Sequence, residues 1–118
     1  NNENIIIKTV NFNQINDYYN LADYAILIRN SNLLNRVASP TKFGEYCMSG
    51  LPVIMNKNVQ QCYENSLLIG NYINLNKTHF SKFEIKERIL ISKKSIDFYS
   101  RLNFMNSYHI LYHNLIKS

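Results

Sequence analysis

Hydrophobic and polar positions between residues 39 and 55 follow two different periods. Phe43, Tyr46 and Cys47 recur at three- and four-residue spacing and form one apolar face, with polar residues between them. The apolar run at 51–55 is short and continuous, which is typical of a buried strand. The pattern therefore predicts one helix followed by one strand.

Residues at both ends of this helix support the prediction. Ser39 offers a side-chain oxygen as a cap, and Pro40 fits the first helical position, where its missing amide hydrogen had no partner to lose. Gly50 supplies the left-handed conformation that ends many helices, and Pro52 is tolerated near the start of a strand. Loop, helix, glycine turn and strand together form the second half of a β-α-β unit.

The rest of the chain predicts further strands and helices in alternation. Before the central unit we expect a buried strand at 5–10, a helix capped by Asn13 and ending at Leu21, and a buried strand at 24–28. After it we expect a short helix at 60–66, a turn at Gly70, a strand at 72–75, and amphipathic helices at 81–92 and 95–117. This order is typical of an α/β domain with a parallel sheet.

The start of the central helix carries the main candidate chemistry. Unpaired amides and the positive end of the helix dipole favour an anion there, so Ser39, Thr41 and Lys42 are candidate phosphate contacts. Glu45, one turn further along, is an acceptor for a pair of sugar hydroxyls. Phosphate beside ribose would be a nucleotide. The alternative is that Ser39 is a cap, Lys42 a solvated charge and Glu45 a helix former.

Two arginines lie in the loop between the predicted strand at 24–28 and the central helix. Open α/β sheets bind ligands at the carboxyl ends of their strands, so Arg29 and Arg36 are candidate phosphate or sugar contacts. In the alternative interpretation, either arginine pairs with Glu45 or with Asp23.

The central stretch resembles a known family. It reads SPTKFGEYCMSGLPVI and follows a Leu-Ala-Asp triplet at 21–23, and this order is similar to the C-terminal domain of retaining GT-B glycosyltransferases of the group 1, GT4-like type. The resemblance covers roughly residues 5–75. It implies a Rossmann-like sheet with flanking helices, here a partial one with a long C-terminal helix. We therefore interpret residues 1–118 as one incomplete donor-binding domain, with an α/β core at about 1–76 and a helical tail at about 77–118.

The same resemblance implies a function. The family's C-terminal domain binds a nucleotide-sugar donor, Glu45 matches the glutamate that holds the ribose hydroxyls, and Lys42 and the amides after Ser39 would face the diphosphate. Val37 stands eight residues before Glu45, where the family has its first glutamate. We expect a hexosyltransferase that retains stereochemistry, uses no metal or cofactor, and transfers a sugar from UDP or GDP to a polysaccharide, glycolipid or related acceptor.

A second interpretation remains open. The chain would then be a non-catalytic GT-B-like module that docks a partner through its C-terminal helices, an idea that Val37 supports. In either case the family's N-terminal acceptor domain is missing, so we expect the chain alone to be inactive. Deletion of the family's first two strands from a sheet of six in the order 3-2-1-4-5-6 also predicts a homodimer or a rearranged sheet.

Composition and charge limit the classes of protein to which this chain can belong. Hydrophobic residues make up 46% of the 118 residues, which indicates a globular domain and argues against disorder. The net charge of +5 favours acidic partners, but the basic residues are dispersed and no nucleic-acid-binding motif is present. The charge suits an anionic donor or peripheral contact with a membrane that carries anionic lipid-linked acceptors. It also suits a solvated surface.

Cysteine and histidine usage predicts no metal centre. Cys47 falls on the apolar helix face and Cys62 lacks a histidine at ligand spacing, while His109 and His113 lack a third ligand. No signal peptide and no apolar run of ~20 residues is evident. We therefore expect a cytoplasmic protein, with possible peripheral contact at the inner face of the plasma membrane.

Overall fold

The structure, a computed structural model, describes residues 4–32 and 41–100. It is an α/β fold in which a small parallel sheet is flanked by helices. Three strands are present in the described part: β1 (Ala25–Leu27), β2 (Val53–Met55) and β3 (Tyr72–Asn74). The helices are α1 (Ile15–Leu21), α2 (Thr41–Met48), α3 (Gln60–Ile69) and α4 (Ile85–Asp97), and a single 3-10 turn at Phe12–Gln14 precedes α1.

The sheet has the order β1-β2-β3, and both pairings are parallel. Ala25 is level with Val53, and Val53 is level with Tyr72. Because α2 and α3 connect consecutive parallel strands, each helix begins at the carboxyl edge of the sheet and ends at its amino edge. The predicted strands at 24–28, 51–55 and 72–75 and the central helix are confirmed.

One face of the sheet forms the core with α2, α3 and α4. Phe43 and Cys47 of α2 are buried against strand residues that include Val53 and Met55, and Ile91 of α4 closes the same cluster. Phe43 and Cys47 in this cluster are two of the residues that the apolar spacing of the central helix assigns to its buried face. The predicted apolar face of the central helix is thus confirmed.

The prediction of a buried strand at 5–10 is wrong. No strand is assigned there, and Ile6 and Ile7 expose 84% and 94% of their surface. A β-branched run forms a stable strand only where a neighbouring strand supplies its hydrogen bonds. In the described part of the chain β1 pairs with β2 alone, so residues 5–10 do not pair with its outer edge.

β1 is buried on one face, although its sequence predicts burial on both. Ala25 and Leu27 are buried in the core, whereas Ile26 between them is 63% exposed. Ile54 and Ile73, which lie beside Ile26 in the register, are buried. The outer face of the sheet is therefore covered over β2 and β3 but open at β1.

The predicted helices at 81–92 and 95–117 have different bounds. α4 begins at Ile85, where the Glu87 side chain accepts a hydrogen bond from the Glu84 amide at 3.2 Å, and it continues through Ser92 and Ser95 without a break. The Ser95 hydroxyl donates to the Ile91 carbonyl at 2.7 Å, which lets a serine remain inside a helix. Two serines that suggested a boundary therefore lie within one helix.

Smaller differences concern caps and lengths. Asn13 lies inside the 3-10 turn, whose amino end has Asn11 with no side-chain cap. α3 extends beyond the predicted 60–66 and ends at Gly70, whose φ of 91° confirms the predicted turn. Predictions for Ser39, Pro40, Arg36, Val37 and the tail from 101 onward, with its two histidines, lie outside the described residues.

Candidate functional site

The loops that follow β1 and β2 meet at the carboxyl edge of the sheet. The Asn56 and Asn58 side-chain amides both donate to the Arg29 carbonyl, at 2.9 and 2.6 Å. Arg29 is the second residue after the end of β1, and Asn56 directly follows β2. These two hydrogen bonds to one carbonyl hold the chain in place just after β1. They therefore also hold the backbone that carries the Arg29 side chain.

The positive charge of Arg29 acts on both α2 and α3, because it opposes the rise in the pKa of Tyr46 and in that of Cys62. Burial raises the pKa of Tyr46, the negative charge of Glu45 adds to that rise, and the positive charge of Arg29 opposes it. Arg29 is itself exposed. Its guanidinium therefore lies within electrostatic reach of α2 and remains accessible to solvent.

The first turn of α2 presents two polar side chains to solvent. Thr41 and Lys42 are exposed, while Phe43, the next residue, is buried. Glu45 lies four residues after Thr41 and three after Lys42, so these three residues share one side of the helix. The structure thus places Thr41, Lys42 and Glu45 together; Ser39 and Arg36, the other predicted contacts, lie outside the described residues.

Glu45 is bonded to α1. The Tyr19 hydroxyl donates to Glu45 Oε2 at 2.6 Å, across 26 residues of sequence. The Tyr19 ring packs edge-on against Tyr46, with ring centroids 5.4 Å apart. Burial, followed by the bond to Glu45, raises the pKa of Tyr19 above its ordinary value of 10.0, so the phenol stays protonated and keeps donating.

A groove of about 390 Å³ opens beside this bond, between α1 and α2. Asn16 and Asn20 line it from α1, and Glu45, Met48 and Ser49 line it from α2. Amide, carboxylate and hydroxyl groups on both walls can exchange hydrogen bonds with a polar ligand. From Glu45 the groove extends towards the carboxyl end of α2, and Lys42 is not among its lining residues.

Sequence reasoning missed five polar residues of this region: Asn16, Tyr19 and Asn20 on α1, and Asn56 and Asn58 after β2. Asn56 could have been found because it follows a predicted strand at its carboxyl end, as Arg29 does. No spacing in the sequence indicates the bond between Tyr19 and Glu45, since the two residues lie on different helices. Asn16 lines the groove because α1 packs against α2, where Tyr19 contacts both Glu45 and Tyr46.

Other candidate chemistry has structural explanations. Burial raises the pKa of the Cys47 thiol to about 12 and that of Cys62 to about 11, so both stay protonated near neutral pH and are poor nucleophiles. Tyr63 packs edge-on against Tyr72 with ring centroids 5.0 Å apart, so its ring serves packing. Asp23 forms an exposed ion pair with Lys82 at 3.4 Å, so it braces the entry to β1.

Residues 4–32 and 41–100 contain no group of three His, Cys, Asp or Glu side chains placed to hold a metal ion. None of their helices has the length and apolar character needed to cross a bilayer. Comparison with known proteins likewise gave nothing: no family model matches the chain, and no curated protein or solved structure is significantly similar to it.

Proposed function

We propose that the chain is the nucleotide-sugar donor-binding part of a retaining glycosyltransferase of the GT-B type. One observation carries the proposal. Lys42, which is exposed, and Glu45, which is half-buried against α1, lie one turn apart on a helix that begins at the carboxyl edge of a parallel sheet. That edge is where open α/β sheets bind nucleotides.

Charge at the start of α2 supports a phosphate contact. The first turn has no acidic residue, and Lys42 adds a positive charge to the positive end of the helix dipole. This arrangement is unfavourable for the helix by itself and becomes favourable when an anion binds. Arg29 brings a second cation to the same edge.

Glu45 supplies the complementary contact for a ribose. A carboxylate has two acceptor oxygens, and a bond from a sugar hydroxyl to an ionised acceptor is stronger than a bond between neutral groups. Phosphate contacts at the helix start and a hydroxyl acceptor one turn later match a nucleoside diphosphate in order. The resemblance to GT-B enzymes assigns the same role to Glu45.

The implied mechanism uses positioning and charge. As the glycosidic bond to the donor phosphate breaks, negative charge grows on the nucleoside diphosphate, and Lys42 with the first α2 amides stabilises it. Glu45 orients the nucleotide without exchanging a proton. The acceptor would attack from a second domain, and transfer to a polysaccharide or glycolipid follows from the family resemblance.

Substitution of Glu45 tests this proposal. Glu45→Gln should weaken the binding of UDP or GDP to the 118-residue chain by about 1–3 kcal/mol, because a charged acceptor is lost. Glu64→Gln is the matched control, since Glu64 is an exposed carboxylate on α3 that bonds to Gln60 at 3.0 Å. Isothermal titration calorimetry gives both affinities.

Two results would contradict the proposal. Equal affinities for the wild type and Glu45→Gln would remove the ribose contact. Failure of the wild type to bind either nucleotide at millimolar concentration would favour a non-catalytic interaction module.

A further inference from the structure

We propose that Tyr19 is a positioning residue of the nucleotide site, where its hydroxyl holds one oxygen of Glu45 so that the other meets the ribose. This inference rests on the proposed function, in which Glu45 contacts the nucleotide. It adds a residue from α1 that is not among the motif residues on which the family resemblance rests.

The contact is short and joins two elements. Tyr19 Oη lies 2.6 Å from Glu45 Oε2, the length expected when a hydroxyl donates to an ionised carboxylate. A glutamate has three rotatable side-chain bonds, and a helix surface alone would leave its carboxylate mobile. The bond from α1 restricts Glu45 to an orientation towards the groove.

Tyr19 is itself held in place. Its ring packs against Tyr46, which belongs to the same helix as Glu45. Its carbonyl accepts a hydrogen bond from Arg88 Nη2 at 3.2 Å, which ties this turn of α1 to α4. The backbone and the ring of Tyr19 are therefore both held in place. The raised pKa of the phenol keeps the proton on its oxygen.

The two oxygens of the Glu45 carboxylate have different partners, and this limits what the site can bind. Tyr19 occupies Oε2, so Oε1 is the oxygen that would accept from a ribose hydroxyl. The amides of Asn16 and Asn20 line the same groove and could contact the neighbouring hydroxyl. Tyr19 acts through Glu45 and does not need to touch the nucleotide.

The test compares nucleotides that differ in their ribose hydroxyls. The affinities of the 118-residue chain for UDP and GDP are measured beside those for their 2′,3′-dideoxy forms. Tyr19→Phe should weaken binding of the ribose form about 3- to 10-fold and change binding of the dideoxy form less than about 2-fold. Phenylalanine retains the ring that packs on Tyr46, and a thermal melt checks that the variant folds.

Tyr18→Phe is the matched control. Tyr18 is on the same helix, and its ring lies under the Lys8 ammonium, 5.4 Å from the ring centroid, away from Glu45. This variant should leave both affinities unchanged. In the Glu45→Gln background, Tyr19→Phe should cost less than it does in the wild type, because the two residues act on one contact.

The outcomes separate this inference from the proposed function. If Glu45→Gln loses ribose discrimination and Tyr19→Phe keeps it, the positioning role is wrong and the nucleotide site stands. Equal loss for ribose and dideoxy forms would show a merely structural role for Tyr19. If neither variant alters discrimination, or no nucleotide binds, both proposals are wrong.

Discussion

The two ends of α2 are built in opposite ways. At the amino end, Thr41 and Lys42 are exposed and carry the candidate phosphate contacts. At the other end, Gly50 is buried against the backbone of α4, and the Ser92 hydroxyl donates to the Met48 carbonyl at 2.6 Å. We call the end at Gly50, which packs against α4, the closed end, and the end at Thr41 and Lys42, whose side chains are exposed, the open end.

Arg88 explains how the closed end is held. Its guanidinium donates to the Tyr19 and Ala22 carbonyls, at 3.2 and 3.0 Å, and to the Ser49 carbonyl at 3.5 Å. These carbonyls end α1 and α2, where helices leave unpaired acceptors and a negative dipole. One cation from α4 thus caps two helices, and the fixed end lets the exposed end hold its groups in place.

Substitution at the closed end should have the largest effect on stability. Gly50 has a φ of 74°, and a Cβ there would overlap the Arg88 carbonyl oxygen. Gly50→Ala should lower the free energy of unfolding by about 2–5 kcal/mol, from left-handed strain plus overpacking. Urea unfolding followed by circular dichroism measures the loss.

Gly70→Ala is the control for that substitution. Gly70 also has a positive φ, 91°, but a Cβ there would meet no atom within 4 Å. It should cost only the strain, about 1–2 kcal/mol. If the free energy of unfolding falls by the same amount in both variants, the close packing of α4 against Gly50 is contradicted.

Removal of the shared cap should have the next largest effect. Arg88→Met keeps much of the aliphatic stem and removes the donors to the α1 and α2 carbonyls, so the free energy of unfolding should fall by about 2–3 kcal/mol. Lys86→Met, at an exposed position on the same helix, should change it by less than about 0.5 kcal/mol. A loss for Arg88→Met no larger than the control would contradict the capping role.

At the open end, a substitution should affect binding more than stability. Lys42→Ala should weaken UDP or GDP binding by about 1–2 kcal/mol, because a charged phosphate contact is lost, and should leave the free nucleoside unaffected. Stability should stay the same or rise slightly, since a cation near a helix start opposes the dipole. Calorimetry measures the affinity for each nucleotide and for its nucleoside. Lys93→Ala on α4 is the control. Equal losses for both ligands would show that Lys42 is structural.

The smallest expected effect concerns Gly44, in the middle of α2. A Cβ there would meet no atom within 4 Å, so Gly44→Ala should raise the free energy of unfolding by about 0.5–1 kcal/mol. Thermal and urea unfolding measure the gain. A more stable variant with weaker nucleotide binding would show that the missing side chain leaves room for the ligand. A loss of stability would contradict the open space seen beside Gly44.

The succession from β1 to β3 could be predicted because each element depends on local pattern. The four-residue spacing of Phe43 and Cys47 indicates where a helix lies, and the glycines at 50 and 70 indicate where helices end. The error at 5–10 has the opposite origin. A strand needs partners from elsewhere in the fold, and the β-branched character of Ile5 to Ile7 carries no information about them.

The site was predictable in part for the same reason. Thr41, Lys42 and Glu45 are close in sequence, so helical spacing alone places them on one side of α2. The bond from Tyr19 to Glu45 spans 26 residues, and the bond from Arg88 to Ala22 spans 66. Contacts of that range depend on how helices pack over the sheet, which no local pattern reports.

Amide NMR of the 118-residue chain, titrated with UDP and with GDP, tests the central claim most directly. The account predicts shifts centred on Thr41 to Glu45 and on Arg29 with one of the two nucleotides, and little change at Gly50 and Arg88. Shifts centred on the closed end, or none at millimolar nucleotide, would contradict the assignment of the open end of α2 as a nucleotide site.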